Sequence, residues 1–270
     1  MRTAFAAGLA AVLALLAPAI PLQARDKTAR PASAEPTRFT DRQILRGFLA
    51  VAIGAEYAST PGDRIRRFEG PVRVFIDAAP DLGDSAARTA MVETVVATIG
   101  SHVAHLDIAV TPDRGATNLT VMLVKDRDLG RTITAVFGRE RGGKILRRLQ
   151  PQCVSGFSRD AAYRIEQAVA VLAADISDFD FRDCAYEEIL QALGPINDTA
   201  AVPWTMFNDA VRTGRFGRYD QYILGLLYHP HLAPGMTRDE ARTAARAALP
   251  EVRERVDRVA ADDKGSAGRD

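Results

Sequence analysis

The sequence predicts one α+β domain built on a mixed sheet, with a helical part at its C-terminal end. Three observations predict it. Apolar or alternating runs suited to strands occur at 71–77, 108–110, 118–124, 154–157 and 165–172. Stretches with apolar residues at helical spacing precede, separate and follow them. Their order is helix, strand, helix, two strands, a strand pair and then helices only.

Taken in turn, Thr40 reads as the N-cap of a first helix, because Ile44, Leu45, Phe48, Leu49 and Ala52 follow at helical spacing as far as Gly54. Pro71 to Asp77 alternates and reads as a strand. Met91, Val95, Val96, Ile99, Val103 and Leu106 form one stripe of a helix over 85–106. Asn118 to Val124 is a buried strand, and 126–148 is a mixed stretch with a short helix and a basic, flexible surface loop at 139–148. A further helix covers 181–193, with Ala185, Ile189, Leu190 and Leu193 as its apolar positions and Gly194 as its C-terminal cap. Helices then run over 219–228 and from Thr237, where Glu240 completes a capping-box spacing.

Composition narrows the functional classes. The chain has 270 residues, 47% hydrophobic and 26% charged, as in a folded globular protein. A formal net charge of +1 gives no bulk attraction to nucleic acid or an anionic membrane. Arg2 followed by an apolar run over Ala4 to Ile20 reads as a cleaved export signal spanning 1–24, with small residues permitting cleavage after Ala19 or Ala24. No cysteine follows the run, so the expectation is a periplasmic or secreted chain without a lipid anchor or a membrane span. Residues 25–39 read as a linker, 40–250 as a single domain and 251–270 as a polar tail, partly disordered. Cys153 and Cys184 are the two cysteines; in an exported chain an even pair reads as a disulfide, worth ~3–4 kcal/mol for a loop of about 30 residues. Two free thiols, or thiolate ligands, are the alternatives.

The informative stretch is 184–209. Glu187 and Gln191 are one helical turn apart, Glu188 follows the first, Gly194 turns the chain, and Asn197 and Asp198 come after it. This is the spacing of H-E-x-x-H-x-x-G-x-x-H, in which two histidines one turn apart hold zinc and the glutamate acts as general base. Here Glu187, Gln191 and Asn197 replace the three histidines, while Glu188 and Gly194 remain. Trp204-Thr205-Met206-Phe207 and then Arg218-Tyr219-Asp220-Gln221 through Leu226-Leu227-Tyr228 follow in the order of the Met-turn and C-terminal helix of a matrixin. Residues 70–230 therefore resemble a degenerate matrixin-like zincin metallopeptidase, with Met206 at the Met-turn and the strand around Ile165 to Leu172 as the edge of a substrate groove.

A closer resemblance is to a bacterial family, domain of unknown function 2927. It rests on Cys184, Glu187-Glu188, Gln191 to Gly194, Asn197-Asp198, Phe207-Asn208-Asp209, Asp220, Leu227-Tyr228 and Pro234-Gly235-Met236. That family implies a fold and export, and no established reaction.

One carboxylate and two amides make a poor zinc set, so no metal or other cofactor is expected, even with Asp198 and Asp220 adding charge. Glu187 and Glu188 diverge by about 100 degrees on a helix and are not expected to flank one bond. Glu188 is the one candidate catalytic residue. The leading expectation is a non-catalytic, zincin-like binding module that takes a peptide or protein partner by strand addition beside Ile165 to Leu172. An active hydrolase using Glu188 with a non-standard metal or acid/base set, and a structural protein of the cell envelope, are the alternatives. His102 and His105 read as one packed and one solvated residue of a helix, and His229 or His231 as able to reach Glu188.

Overall fold

The computed structural model of the chain describes residues 23–24, 30–31, 34–53, 64–149, 152–208 and 210–267. The expected export signal lies outside the described residues apart from Gln23–Ala24, which pairs with Ser155 and Val154. Seven α-helices and five strands of three residues or more are described. In chain order they are α1 (Asp41–Val51), β1 (Val72–Ala78), α2 (Ser85–His102), β2 (Ile108–Val110), β3 (Leu119–Val124), α3 (Asp126–Phe137), α4 (Arg139–Leu149), β4 (Cys153–Arg159), β5 (Ile165–Ala173), α5 (Asp178–Ala192), α6 (Arg218–Tyr228) and α7 (Arg238–Ala267).

The strands lie in the order β4-β5-β3-β1-β2. β1 runs parallel to β2 and β3, and β3 parallel to β5, whereas β4 is antiparallel to β5. The sheet is therefore mixed, as the sequence predicts. One expectation fails. β5, which contains Ile165 to Leu172, is an interior strand hydrogen-bonded on both sides, so it offers no edge to a peptide. Its near-continuous apolar run is the mark of a strand buried on both faces.

Alternation along the strands divides the core in two. Cys153, Ala170 and Leu172 point into the main core with residues of α2 and α5. Val154, Val171 and Ala173 point the other way, against Leu129 and Ile133 of α3 and Ile145 of α4. The expected loop at 139–148 is instead helix α4. The arginines mask a short apolar patch, Ile145 and Leu146, that packs with α3.

The ends of the domain also extend further than composition suggests. α7 continues through Pro250 to Ala267, with Val252, Val256 and Val259 buried. Valines at i, i+4 and i+7 make a helical stripe, so the expected polar tail is wrong over 251–267. Residues 34–39 of the expected linker belong to the domain as well. Phe39 is buried with its ring 4.9 Å from Tyr219 and 5.4 Å from Trp204. Glu35 accepts hydrogen bonds from the backbone N–H groups of Arg218 (3.2 Å) and Tyr219 (2.6 Å), capping the start of α6. α1 has the Thr40–Gln43 capping box. It packs so closely on α6 that a Cβ on Gly47 would sit 1.9 Å from the Tyr219 hydroxyl, which donates to the Gln43 carbonyl at 2.7 Å.

Candidate functional site

Helix α5 carries the motif. Ser177 caps it, accepting from the Asp180 N–H at 3.1 Å. Arg88 of α2 fixes the approach to it, donating to the carbonyls of Ala174 (2.8 Å) and Ile176 (2.7 Å) and to Asp178 (2.9 Å). From Asp183 to Ala192 every residue of the helix is buried. A helix enclosed on all sides is normally apolar throughout; this one brings Asp183, Glu187, Glu188 and Gln191 inside with it. Burying such groups is costly unless other groups satisfy them.

Cys184, on α5, is joined to Cys153, on β4, by a disulfide with a Cα–Cα distance of 5.9 Å. The pairing read from the sequence is present. Beside it, Glu187 and Glu188 are 1% and 0% exposed. One oxygen from each carboxylate and the Cys153 sulfur lie within 4.8 Å of one another. The sequence expectation that the two glutamates point apart is corrected here. Their Cα–Cβ bonds diverge, but each side chain has further rotatable bonds that return its carboxylate to the disulfide.

The other motif residues are committed elsewhere. Gln191 accepts from the Ser155 hydroxyl at 3.3 Å and donates to Asp198 at 3.4 Å, joining α5 to β4 and to the following loop. Asn197 donates through its side-chain amide to the Ala50 carbonyl at 3.1 Å and through its backbone N–H to Val51 at 3.3 Å, so it anchors that loop on α1. Asp183, one turn before Glu187, accepts from the N–H groups of Thr213 (2.9 Å) and Gly214 (2.6 Å). Sequence reasoning missed this residue. Its signal was its place at i−4 from Glu187 on the same helix.

These residues do not fit a zinc ion of the peptidase kind. Among the described residues, the group of His, Cys, Asp and Glu close enough to share an ion is Cys153, Glu187 and Glu188. With its sulfur in the disulfide, Cys153 is no thiolate, and two carboxylates fall short of the three or four protein ligands that zinc takes.

Around this helix the remaining motif residues build a frame. Gly194, at φ +132°, ends α5 with its N–H on the Gln191 carbonyl at 3.0 Å, and a Cβ there would lie 2.2 Å from the Arg66 carbonyl oxygen. The Tyr228 hydroxyl donates to the Leu193 carbonyl at 2.8 Å, tying the end of α6 to the end of α5. Burial pushes that phenol's pKa up. Met206 is fully buried, and its N–H donates to both Asp220 oxygens (3.3 and 3.2 Å). The Thr205 hydroxyl donates to Asp220 at 2.6 Å. Burial nevertheless outweighs these bonds and pushes the Asp220 carboxyl up to about 8. Asp220 therefore holds the turn around Met206.

The histidines form a separate group. α2 ends at His102, and His105 lies beyond it in a left-handed conformation (φ 63°). The buried His229 ring has Nε2 at 3.1 Å from Glu251 of α7, and its Nδ1 accepts from the His231 N–H at 3.1 Å. His105 approaches the other Glu251 oxygen at 3.6 Å. The expectation of a histidine serving Glu188 is replaced by a cleft in which His102, His105 and His229 face α7.

A disulfide-stapled helix with a buried acidic pair, framed by a glycine turn, a buried Met206 turn and the Tyr228 latch, is the centre of this α+β domain. The profile of the family described as protein of unknown function (DUF2927) matches residues 41–247, and the chain belongs to that family. No curated protein and no solved structure matches the chain.

Proposed function

We propose that this chain is an exported, non-catalytic protein on a zincin-like scaffold, a pseudo-metallopeptidase serving as a binding module of the periplasm or cell surface. One observation carries the reading: the constellation at the three replaced histidine positions is closed. Glu187, Glu188 and Gln191 are at most 2% exposed, and the third position, Asn197, is anchored on α1. A general base has to come within hydrogen-bond reach of the proton it takes, and enclosure on this scale favours a structural role for Glu188. The order of the motif helix, its glycine, the Met206 turn and the Tyr228 helix supports the scaffold part of the reading. The disulfide supports export, since such bonds persist in oxidising compartments.

A peptide or protein partner remains the expected ligand class. With β5 interior, strand addition moves to β4, whose outer side pairs among the described residues with Gln23–Ala24 at Val154 and Ser155. Cleavage of the export signal after Ala24 would vacate that position. A hydrolase reading draws on the proximity of Glu187 and Glu188.

Complementation separates the two. A strain lacking this protein, supplied with a chain carrying Glu187→Gln and Glu188→Gln, should recover its wild-type phenotype. A chain that accumulates and melts like the wild type but fails to complement would overturn the non-catalytic reading.

A further inference from the structure

Charge is not spread evenly along this chain. From Arg131 to Arg148 there are six arginines or lysines and one acidic residue, a surplus of five in a chain whose total is +1. Extending the count back to Lys125 adds two cations and two anions and leaves the surplus unchanged. The stretch belongs to α3 and α4, which cover the sheet face opposite α5. The two helices lie side by side at close range, since a Cβ on Gly142 would sit 2.9 Å from the Thr134 Cα. Ile145 and Leu146 take part in that packing, so the outward side is polar. It carries Arg127 and Arg131 at i and i+4 on α3, and Lys144 and Arg147 at i and i+3 on α4. The Arg131 and Lys144 side chains are 82% and 62% exposed, beside Asp128 (3.0 Å) and Glu140 (2.8 Å) respectively. Arg139 and Arg147 are exposed too. At the turn between the helices Phe137 is half-buried, with the Arg141 guanidinium 5.6 Å from its ring centre.

We propose that the outer face of α3 and α4 is a docking surface for an anionic phospholipid bilayer, holding the chain against a membrane without a span or a lipid anchor. Its charge complements lipid phosphates, and each Lys or Arg near such a surface strengthens binding about fivefold. The small total charge conceals this, because the rest of the chain carries a net −4. An anionic surface attracts the one face and repels the remainder, which orients the docked chain. Shape selects the partner. A linear polyanion is held in a groove that tracks its backbone. Two helices packed side by side over a sheet form a layer instead, and the cleft found among the described residues lies elsewhere, between α2, α6 and α7. The tip of the hairpin suits the headgroup region, where an aromatic ring sits at the boundary and arginine stems lie along apolar surface with their charged ends in water. The sheet separates this face from α5. Docking here is therefore independent of whether the motif helix is catalytic.

The test is co-sedimentation of the full chain with vesicles of phosphatidylglycerol and phosphatidylcholine in equal parts, beside vesicles of phosphatidylcholine alone. Binding to the neutral vesicles reads whatever the apolar run over Ala4 to Ile20 contributes, and the excess on the anionic ones reads charge. We expect that excess to be large at low salt and to fall steeply toward ~0.5 M salt. Combining Arg139→Gln, Lys144→Gln and Arg147→Gln should weaken the excess binding by about a hundredfold. A charge-matched triple on α7, Arg242→Gln, Arg246→Gln and Arg258→Gln, should leave it little changed. Arg139→Lys with Arg147→Lys keeps the charge and should keep the binding. All three variants are first checked for a wild-type circular dichroism spectrum and melting temperature. Equal binding of the wild type to both kinds of vesicle, equal losses in the two triple variants, or a loss in the lysine variant would overturn the proposal. So would retention on heparin that depends on Arg139, Lys144 and Arg147 without any preference for the anionic vesicles, which would make the partner a soluble polyanion.

Discussion

Asp220 shows how a single residue acts in this fold. Its carboxyl is enclosed, accepts from Thr205 and Met206, and is pushed up to about 8. A carboxyl raised in this way stays protonated in the folded chain at pH values where the unfolded chain has ionised. Its contribution to stability is complete below the ordinary aspartate range and is lost as pH rises through about 8. Asp220→Asn keeps an acceptor for Thr205 and Met206 but does not titrate. On going from about pH 5 to about pH 9, the wild-type melting temperature should therefore fall relative to that of the variant; parallel profiles would contradict this. Gly194 is constrained twice, by a φ of +132° and by the Arg66 carbonyl 2.2 Å from where a Cβ would be. Gly194→Ala should cost about 2–3 kcal/mol in urea unfolding. Sequence spacing made Gly194, Asp220 and Tyr228 visible. It could not show Arg88 or Glu35, whose backbone partners lie in distant segments with no sequence signature.

At the scale of elements, the disulfide and α7 carry separable contributions. Replacing both Cys153 and Cys184 with serine should lower stability by ~3–4 kcal/mol, the loop-closure value for about 30 residues, measured by chemical unfolding of the oxidised wild type beside the variant. Ending the chain after Pro250 would remove the buried Val252, Val256 and Val259 and the Arg253 bond to the Phe39 carbonyl (2.8 Å). About 4 kcal/mol should go with them, from apolar burial alone; a truncated chain as stable as the full one would show that α7 ends functionally at Pro250. Most elements were legible because periodicity reports burial on one face, as in α1 and α2. α4 and the end of α7 were not, because a narrow apolar stripe of two or three residues is lost among arginines, aspartates and alanines.

For the whole molecule, the sequence contained the class of fold but not the place of its strands. β5 was readable as apolar, yet whether such a strand sits at an edge or inside depends on its pairing with both β3 and β4, which no local pattern encodes. The same limit applies to the site. The spacing of Glu187, Glu188 and Gln191 was visible, whereas their enclosure by β4, the disulfide and the loop around Asp198 is a property of the assembled domain. Whether the motif helix is a structural core or a working site is most directly decided by urea unfolding of Glu188→Ala. A catalytic side chain is typically removable without loss of stability, and its removal often adds some. A side chain enclosed at 0% exposure leaves a cavity and unpaired neighbours. The variant should lose about 2 kcal/mol or more; a variant as stable as the wild type, or more so, would contradict the account.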